Sequence, residues 1–239
     1  CGSVTNSSWH STGKRCSLKF SEDLKKSGEG IWREIHTHPF VRGIADGSLP
    51  VEDFRFYMEQ DYVFLIEYAR VLALAVSKGD GLTTMGRFAG LLDATLNQEM
   101  ELHRSYARRF GITNEDLEAV ELAPAARAYT RHLLEIAHGG DLVEIAAGLI
   151  PCQWGYAEIG SRLAREGDVS EANPYVEWIQ TYASEEFRTI ADWLCGLLDR
   201  LGGEASPSSR RRCVEIFLLS SRYEYFFWEM SFRRETWPV

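Results

Sequence analysis

The chain has 239 residues, of which 45% are apolar and 26% are charged, a composition typical of globular proteins and not of disordered or membrane-spanning ones. The formal net charge is -9, and no run of lysine and arginine exceeds three residues, so binding to the phosphates of a nucleic acid is not expected. No stretch approaches the roughly 18 apolar residues that cross a bilayer, so no membrane contact is predicted.

The first 17 residues are polar, serine-rich and aperiodic, and they are predicted to form a disordered tail or an artificial extension. Residues 18–239 are predicted to form one domain, because no linker or internal repeat divides them. The cysteines are odd in number, and their spacings match no metal or redox motif; they are Cys1, Cys16, Cys152, Cys195 and Cys213. This usage, with no apolar signal-peptide core, predicts a cytoplasmic protein.

Helical patterns follow one another from about residue 20, and strand signals are missing. The dipeptide His38-Pro39 is predicted to end the first helix, a short helix begins near Thr113, and Asp141 is placed to cap a later one. Glycine and proline separate further helices, predicted at about 51–77, 82–110, 124–138, 141–165, 175–201 and 208–233. The pattern predicts a compact all-α bundle of roughly eight helices.

Asp61 lies on a helix face that is otherwise apolar. The residues at helical spacing on this face are Phe54, Tyr57, Phe64, Leu65 and Tyr68. A carboxylate among rings is costly unless something pairs with it. Two interpretations stay open: a structural aspartate bonded to another helix, or a ligand-binding or acid–base group with a shifted pKa.

Glu224 repeats this pattern on the last predicted helix. Its face carries Phe217, Ser220, Ser221, Phe227 and Trp228. Arg222 is only two positions away, roughly opposite on the helix, and is poorly placed to pair with it. Burial among rings would raise the pKa of Glu224 and let it donate a proton near neutral pH.

Cys152 stands in an unusual helical context. Pro151 directly before it removes a backbone donor and is expected to kink the helix, and Tyr156 lies one turn further on the same face. The alternative is an inert buried thiol, which is the interpretation for Cys195 and Cys213. A nucleophilic cysteine also needs a base, a cation or a helix N-terminus to favour its thiolate, and the sequence does not show that partner.

Other polar residues give weaker signals. Glu99 and His103 are one turn apart, as metal ligands can be, but a ferritin-like site needs two Glu-x-x-His pairs and none is found. His36 and His38 flank a helix end, where capping is expected. No metal ion and no cofactor is therefore predicted.

Six short motifs occur in order between about residues 19 and 237. They are His38-Pro39-Phe40-Val41-x-Gly43-Ile44-x-Asp46-Gly47-x-Leu49-Pro50, Phe56-Tyr57-x-x-Gln60-Asp61, Glu99-x-x-Leu102-His103, Tyr129-Thr130-x-His132, Leu149-Ile150-Pro151-Cys152-x-Trp154-x-Tyr156-x-Glu158 and Tyr223-Glu224-Tyr225-x-Phe227-Trp228. Each string alone is unspecific, but their common order over the whole globular part resembles the TenA/thiaminase II family.

The resemblance implies an all-helical bundle of the haem-oxygenase-like type that assembles as a homotetramer. It implies a hydrolase of thiamin salvage, acting on thiamin or 4-amino-5-aminomethyl-2-methylpyrimidine and releasing 4-amino-5-hydroxymethyl-2-methylpyrimidine. Cys152 matches the family's nucleophile, Asp61 the carboxylate that holds the 4-amino group, and Glu224 the acid facing a ring nitrogen. The matching substrate-binding positions are Asp61, Phe64, Tyr129, Tyr156, Tyr182 and Phe227. A tyrosine would also fit at position 64, which makes it a position for substrate preference.

Two alternatives on the same fold stay open. One is an oxidase related to PqqC or haem oxygenase, for which His36 or His38 would have to face the pocket as a haem ligand. Pro39 argues against this role because it indicates a helix end. The other is a ligand-binding or regulatory protein without turnover, although no DNA-binding element or basic patch supports direct DNA contact.

Overall fold

The computed structural model describes residues 19–239, and these residues form helices and connections without a strand. The tail predicted at residues 1–17, with Cys1 and Cys16, lies outside the described residues. The α-helices are α1 (Phe20–Ser27), α2 (Glu29–His36), α3 (Pro39–Asp46), α4 (Val51–Ser77), α5 (Leu82–Ala94), α6 (Met100–Arg109), α7 (Asn114–Glu118), α8 (Pro124–Gly139), α9 (Leu142–Glu166), α10 (Val176–Tyr182), α11 (Glu185–Glu204) and α12 (Pro207–Arg233). The all-α prediction is confirmed.

The long predicted helices α4, α8, α9 and α12 agree with the structure to within a residue or two at each end. Local caps explain their starts. The Asp141 side chain accepts a hydrogen bond from the backbone N–H of Glu144, and the Glu144 side chain accepts one from the backbone N–H of Asp141, which satisfies two otherwise unpaired donors. Pro124 and Pro207 occupy the first positions of α8 and α12, where a missing N–H costs nothing.

Two predicted helices were wrong because they are subdivided. The first predicted helix ends just before His38-Pro39 as expected, but it is broken at Gly28 into α1 and α2, and the short helix α3, which begins at Pro39 with His38 as its cap, was not predicted. The helix predicted at 175–201 is interrupted after Tyr182, and the Ser184 side chain accepts from the N–H of Phe187 to start α11. The count of roughly eight helices was therefore too low for the described part of the chain.

A π-helical segment, Thr95–Glu99, joins α5 to α6 inside the helix predicted at 82–110. Such a segment adds a residue to the turn and rotates the side chains that follow it. The last residue of this segment is Glu99, and His103 stands on the first turn of α6. Both side chains consequently point to positions that a regular helix would not give them.

Helices α4, α9 and α12 form the centre of the bundle. Helix α9 packs against α8, α10, α11 and α12, while α4 packs against α5, α6, α8 and α12. Long aromatic side chains bridge α4 and α9, and the Tyr57 hydroxyl lies 3.3 Å from that of Tyr156. Within residues 19–239, no helix combines the length and the apolar character needed to cross a membrane.

Candidate active site

Cys152 lies near the middle of α9, directly after Pro151, which is inside the helix as predicted. Its side chain keeps part of its accessible surface, although burial is the largest cause that raises its pKa. Glu99 has the same combination of partial accessibility and a pKa raised mainly by burial. A group that is deep in the protein and still accessible faces an internal space, so the two side chains indicate a chamber inside the bundle.

Glu224 on α12 lies on the buried face predicted for it and is 4% exposed. The Tyr129 hydroxyl on α8 donates to its Oε1 atom over 2.6 Å. Burial raises the pKa of Glu224 to about 8, while the hydrogen bond from Tyr129 opposes this shift. At neutral pH the carboxyl is therefore mostly protonated and able to donate, as the sequence predicted.

Asp61 on α4 is bonded to two neighbours through one oxygen. Its Oδ2 atom accepts from the Tyr57 hydroxyl over 3.1 Å and lies 2.8 Å from Nε2 of His103. The other ring nitrogen of His103 is 2.9 Å from the backbone carbonyl of Glu99. Both nitrogens face acceptors, so the imidazolium form fits this arrangement. Burial alone would lower the pKa of His103, but its bonds to Asp61 raise it overall.

This arrangement combines the two interpretations of Asp61 that the sequence left open. Oδ2 forms the structural bond to His103 on α6. Oδ1 makes no hydrogen bond within residues 19–239 and keeps some solvent-accessible surface. The carboxylate is thus fixed in orientation by His103 and Tyr57 and still presents one free acceptor.

Glu99 ends the π-helical segment and brings a third carboxyl to the cluster. The Tyr182 hydroxyl on α10 donates to its Oε1 over 3.0 Å. Burial, with a further contribution from the Asp61 charge, raises the pKa of Glu99 to about 7, and His103 and Tyr182 act in the opposite direction. Near neutral pH this carboxyl is about half ionised.

The Cys152 thiol has no cation beside it in the described structure. Burial and then the charges of Glu224, Glu99 and Asp61 raise its pKa well above the usual value. This environment is the opposite of the thiolate-favouring one expected of a nucleophilic cysteine. The thiol therefore holds its proton until some other group accepts it.

Aromatic rings line two sides of the cluster. Next to Glu224, the rings of Phe64 and Tyr129 are 5.1 Å apart and those of Phe64 and Phe227 are 5.4 Å apart. Next to Asp61, the ring of Tyr156 packs 5.2 Å from Trp228. Such walls offer stacking surfaces to a planar ligand and exclude bulk water.

Two further polar atoms near Cys152 have no hydrogen-bond partner among the described residues. They are the Tyr68 hydroxyl on α4 and Oε1 of Gln153 on α9; both are buried, and the two side chains lie next to each other without forming a regular hydrogen bond. The charge of Cys152 is the second cause, after burial, that raises the pKa of Tyr68. A buried polar atom without a partner is costly, so these atoms are candidates for contact with a bound ligand.

The structure thus brings Cys152, Asp61, Glu224 and the predicted substrate-binding residues into one cluster. Of the two histidines considered as haem ligands, His38 lies outside this cluster, and His36 lies at its edge, on a small enclosed cavity that Glu224, Tyr156 and Trp228 also line. His38 accepts from the Phe40 N–H and pairs with Glu229, and His36 lies near Glu158. A surface cleft of about 320 Å³ includes His36 and Trp154 but none of the three carboxyls of the cluster.

Sequence reasoning missed Glu99, His103, Tyr57 and Tyr68 as members of this cluster. Glu99 and His103 were singled out only as candidate metal ligands, whereas here they bond to Tyr182 and Asp61. Their occurrence together in one of the six motifs was the available signal. Within residues 19–239, no group of three or more His, Cys, Asp or Glu side chains is arranged to hold a metal ion.

Comparison with known proteins identifies related sequences over most of the chain. The model of the TENA/THI-4/PQQC family matches residues 25–234. An aminopyrimidine aminohydrolase of Halalkalibacterium halodurans is 44% identical over 220 residues, which cover 92% of this chain and 98% of that protein. Aminopyrimidine aminohydrolases of Helicobacter pylori and Bacillus subtilis are 36% and 35% identical, with coverage of 90% or more of both chains in each case.

Solved structures agree with this assignment. A TenA family transcription regulator from a Silicibacter species superimposes with a TM-score of 0.83 and 36% identity, covering 90% of this chain and 96% of that chain. Haem oxygenase 2 of Chlamydomonas reinhardtii, at 12% identity, has a TM-score of 0.63 over 89% of this chain and 97% of that one. The second similarity concerns the fold alone and confirms the haem-oxygenase-like architecture.

Proposed function

Because the chain belongs to the TENA/THI-4/PQQC family, we propose that it is an aminopyrimidine aminohydrolase of the thiaminase II type that works in thiamin salvage. The observation that carries the proposal is the cluster of Cys152 with two carboxyls in different surroundings, Asp61 bonded to His103 and Glu224 with a pKa of about 8. Relatives 35–44% identical over about nine-tenths of the chain carry the name of this enzyme.

The substrate's pyrimidine ring would bind between the aromatic walls. The free Oδ1 of Asp61 is suited to accept a hydrogen bond from the 4-amino group, and its orientation is fixed by Tyr57 and His103. A charge-assisted bond of this kind positions a ring more tightly than a neutral one. Phe64 and Phe227 on one side and Tyr156 on the other would stack against the ring or close its edges.

The first chemical step would be addition of Cys152 to the ring. Glu224 gives its proton to a ring nitrogen, the thiol gives its own proton to the Glu224 carboxylate, and the sulfur bonds to the adjacent ring carbon. One S–H bond and one C=N π bond break, while one C–S and one N–H bond form. This relay explains how a thiol with a raised pKa can act: it never has to exist as a free thiolate among three carboxyls.

The second step would expel the leaving group from the exocyclic methylene. Electrons of the adduct push out the amine as ammonia, or the thiazole in the case of thiamin. Water then adds to the methylene carbon and gives one proton to the departed ammonia, or to solvent in the case of thiamin. The ring nitrogen returns its proton to Glu224, and Glu224 gives one to the sulfur as the C–S bond breaks and the thiol is restored. The aromatic walls limit competing water at the reacting carbon.

The oxidase alternative finds no support here, because His38 is bonded to Phe40 and Glu229, and His36 borders a cavity of only about 10 Å³ beside Glu224, too small for a haem. The regulatory alternative has one observation in its favour, which is that the similar Silicibacter protein is described as a transcription regulator. The chain's net charge of -9 does not favour DNA contact. Turnover therefore remains our proposal.

We further propose that the protein acts as a homotetramer in the cytoplasm. The exposed apolar side chains Leu219 and Phe226 are two turns apart on one face of α12 and support a subunit interface, since exposed apolar surface of this kind marks contact sites. Light scattering at working concentrations would give a mass near four times 27.2 kDa. A monomeric mass would contradict the assembly without touching the proposed chemistry.

The test of function is to supply thiamin and the aminomethylpyrimidine separately and to measure hydroxymethylpyrimidine by chromatography. We expect product from the wild type and from the control Cys195→Ser, and loss of about 10³-fold or more in Cys152→Ser. Circular dichroism should show the same helicity for all three proteins. Equal turnover by Cys152→Ser would contradict the cysteine mechanism, and no turnover of either substrate by wild type would contradict the function.

A further inference from the structure

Glu99 is a buried carboxyl that the mechanism above does not use. Its Oε1 atom accepts a hydrogen bond from Tyr182. Its Oε2 atom makes no hydrogen bond within the described residues and keeps some solvent-accessible surface. Its charge is the second cause, after that of Glu224, among the charges that raise the pKa of Cys152. Glu99 is also joined by geometry to the predicted substrate-binding residues, because its partner Tyr182 packs 4.8 Å from the ring of Tyr156, one turn from Cys152 on α9.

The groups around Glu99 come from four helices, and together they leave it without a dedicated cation. Helix α4 brings Asp61 and Tyr68, α6 brings His103, α10 brings Tyr182 and α9 brings Cys152, while Glu224 of α12 faces Glu99 across the Cys152 thiol. The one cation among them, His103, is bonded to Asp61 through Nε2 and to the Glu99 backbone carbonyl through Nδ1. The Glu99 carboxylate is therefore available to pair with a positive charge brought by a ligand.

We propose that Glu99 is the specificity-determining residue for substrates that lose a primary amine, because its carboxylate keeps that amine in the protonated ammonium form inside the chamber. The inference rests on the proposed function. An amine can leave as neutral ammonia only if it carries three hydrogens when the C–N bond breaks. Burial alone would drive the amine to its neutral form, and an adjacent carboxylate reverses that effect.

The step balances without a co-reactant. The ammonium group departs with the C–N bonding pair as ammonia and takes the three hydrogens that it already holds. Glu99 keeps its charge and transfers no net proton. A thiazolium leaving group has no N–H and leaves as a neutral thiazole whether or not a carboxylate is near, so Glu99 should matter little for thiamin.

The experiment compares Glu99→Gln with the wild type on both substrates. Glutamine keeps the shape of the side chain and its bond with Tyr182 but removes the charge. We expect kcat for the aminomethylpyrimidine to fall about 10²-fold, in the range of a lost proton-controlling group, while kcat for thiamin changes less than about fivefold. The matched control is Glu101→Gln, an exposed position paired with Arg104 and Arg108, which should leave both rates unchanged.

The pH profile gives a second readout. For the wild type, turnover of the amine should rise with pH as Glu99 ionises, and this limb should be absent in Glu99→Gln and for thiamin. Equal losses on the two substrates, or no loss on the amine, would overturn the assignment of Glu99. Failure of the proposed function looks different, because the wild type itself would then turn over neither substrate.

Discussion

Replacing Glu224 by glutamine should stabilise the protein while removing its activity. The pKa of Glu224 is raised by burial from 4.5 to about 8, so between these two values the folded state binds more protons than the unfolded state. The free energy of unfolding therefore falls as pH rises through this window. Glutamine has no charge to bury, and Tyr129 can still donate to its side-chain oxygen.

The size of the effect follows from the shift. At about 1.4 kcal/mol per pKa unit, ionised Glu224 costs the folded state roughly 5 kcal/mol well above pH 8. At pH 5 only a small part of that cost applies. The difference in unfolding free energy between Glu224→Gln and the wild type should thus grow by about 4 kcal/mol from pH 5 to pH 9, or about 8 °C in Tm for a chain of this length.

The assay is urea unfolding followed by circular dichroism at pH 5, 7 and 9. Glu215→Gln is the control, because Glu215 lies exposed on the same helix. Glu99 also titrates in this window, but it does so in both proteins and its contribution cancels in the difference. If the two stability curves stay parallel across this pH range, Glu224 does not carry the raised pKa, and the proton relay loses its donor.

Three further predictions concern the geometry around the cluster. The rate of aminomethylpyrimidine turnover, plotted against pH, should give a narrow bell-shaped curve with its two limbs near pH 7 and 8. The reason is that Glu99 has to be ionised and Glu224 protonated. A flat profile in buffers from pH 6 to 9 would count against both roles. Gly160→Ala should lower the free energy of unfolding by about 1–3 kcal/mol and reduce turnover, because the added Cβ would overlap the carbonyl carbon of Tyr182 and displace that residue. Thermal melts check this against the control Gly196→Ala, whose added Cβ has nothing within 4 Å. His103→Gln should cost about 3 kcal/mol or more because it leaves the buried Asp61 carboxylate without its cation, and an unchanged urea midpoint would show that no ion pair exists there.

The sequence was sufficient to find Asp61 and Glu224 because each is a carboxylate on an apolar helix face. On a regular helix, residues three and four apart share a face, so the anomaly is visible without coordinates. The same periodicity located α4, α9 and α12. The motifs that resemble a known family then placed Cys152 and the site tyrosines on these helices.

Glu99 escaped this reasoning because the π-helical segment changes the spacing on which it depends. Leu96, Asn97 and Gln98 are exposed, and on a regular helix the Glu99 that follows them would be assigned to the same solvent-facing side. The break after Tyr182 escaped for a different reason. It lies where the backbone of Tyr182 packs against Gly160, a contact that local propensity does not show, and the one local signal was Ser184 followed by two glutamates, a helix-start pattern that was not used.

Tyr57 and Tyr68 show a third kind of miss. A tyrosine on a buried helix face packs like any other ring, and only its hydroxyl partners distinguish a functional position. Tyr57 bonds to Asp61, whereas the Tyr68 hydroxyl has no partner among the described residues. Which partner a tyrosine hydroxyl has depends on how several helices pack together, so it can be seen only in the three-dimensional structure.

The account depends most on bond formation between the Cys152 sulfur and the pyrimidine ring. Wild-type protein can be mixed with the aminomethylpyrimidine, quenched in acid within milliseconds and digested for mass spectrometry. We predict that the peptide containing Cys152 gains the mass of the substrate's pyrimidine part, and that this adduct decays as product appears. An adduct on Cys195 instead, or full product formation with every cysteine peptide unmodified at all times, would contradict the mechanism.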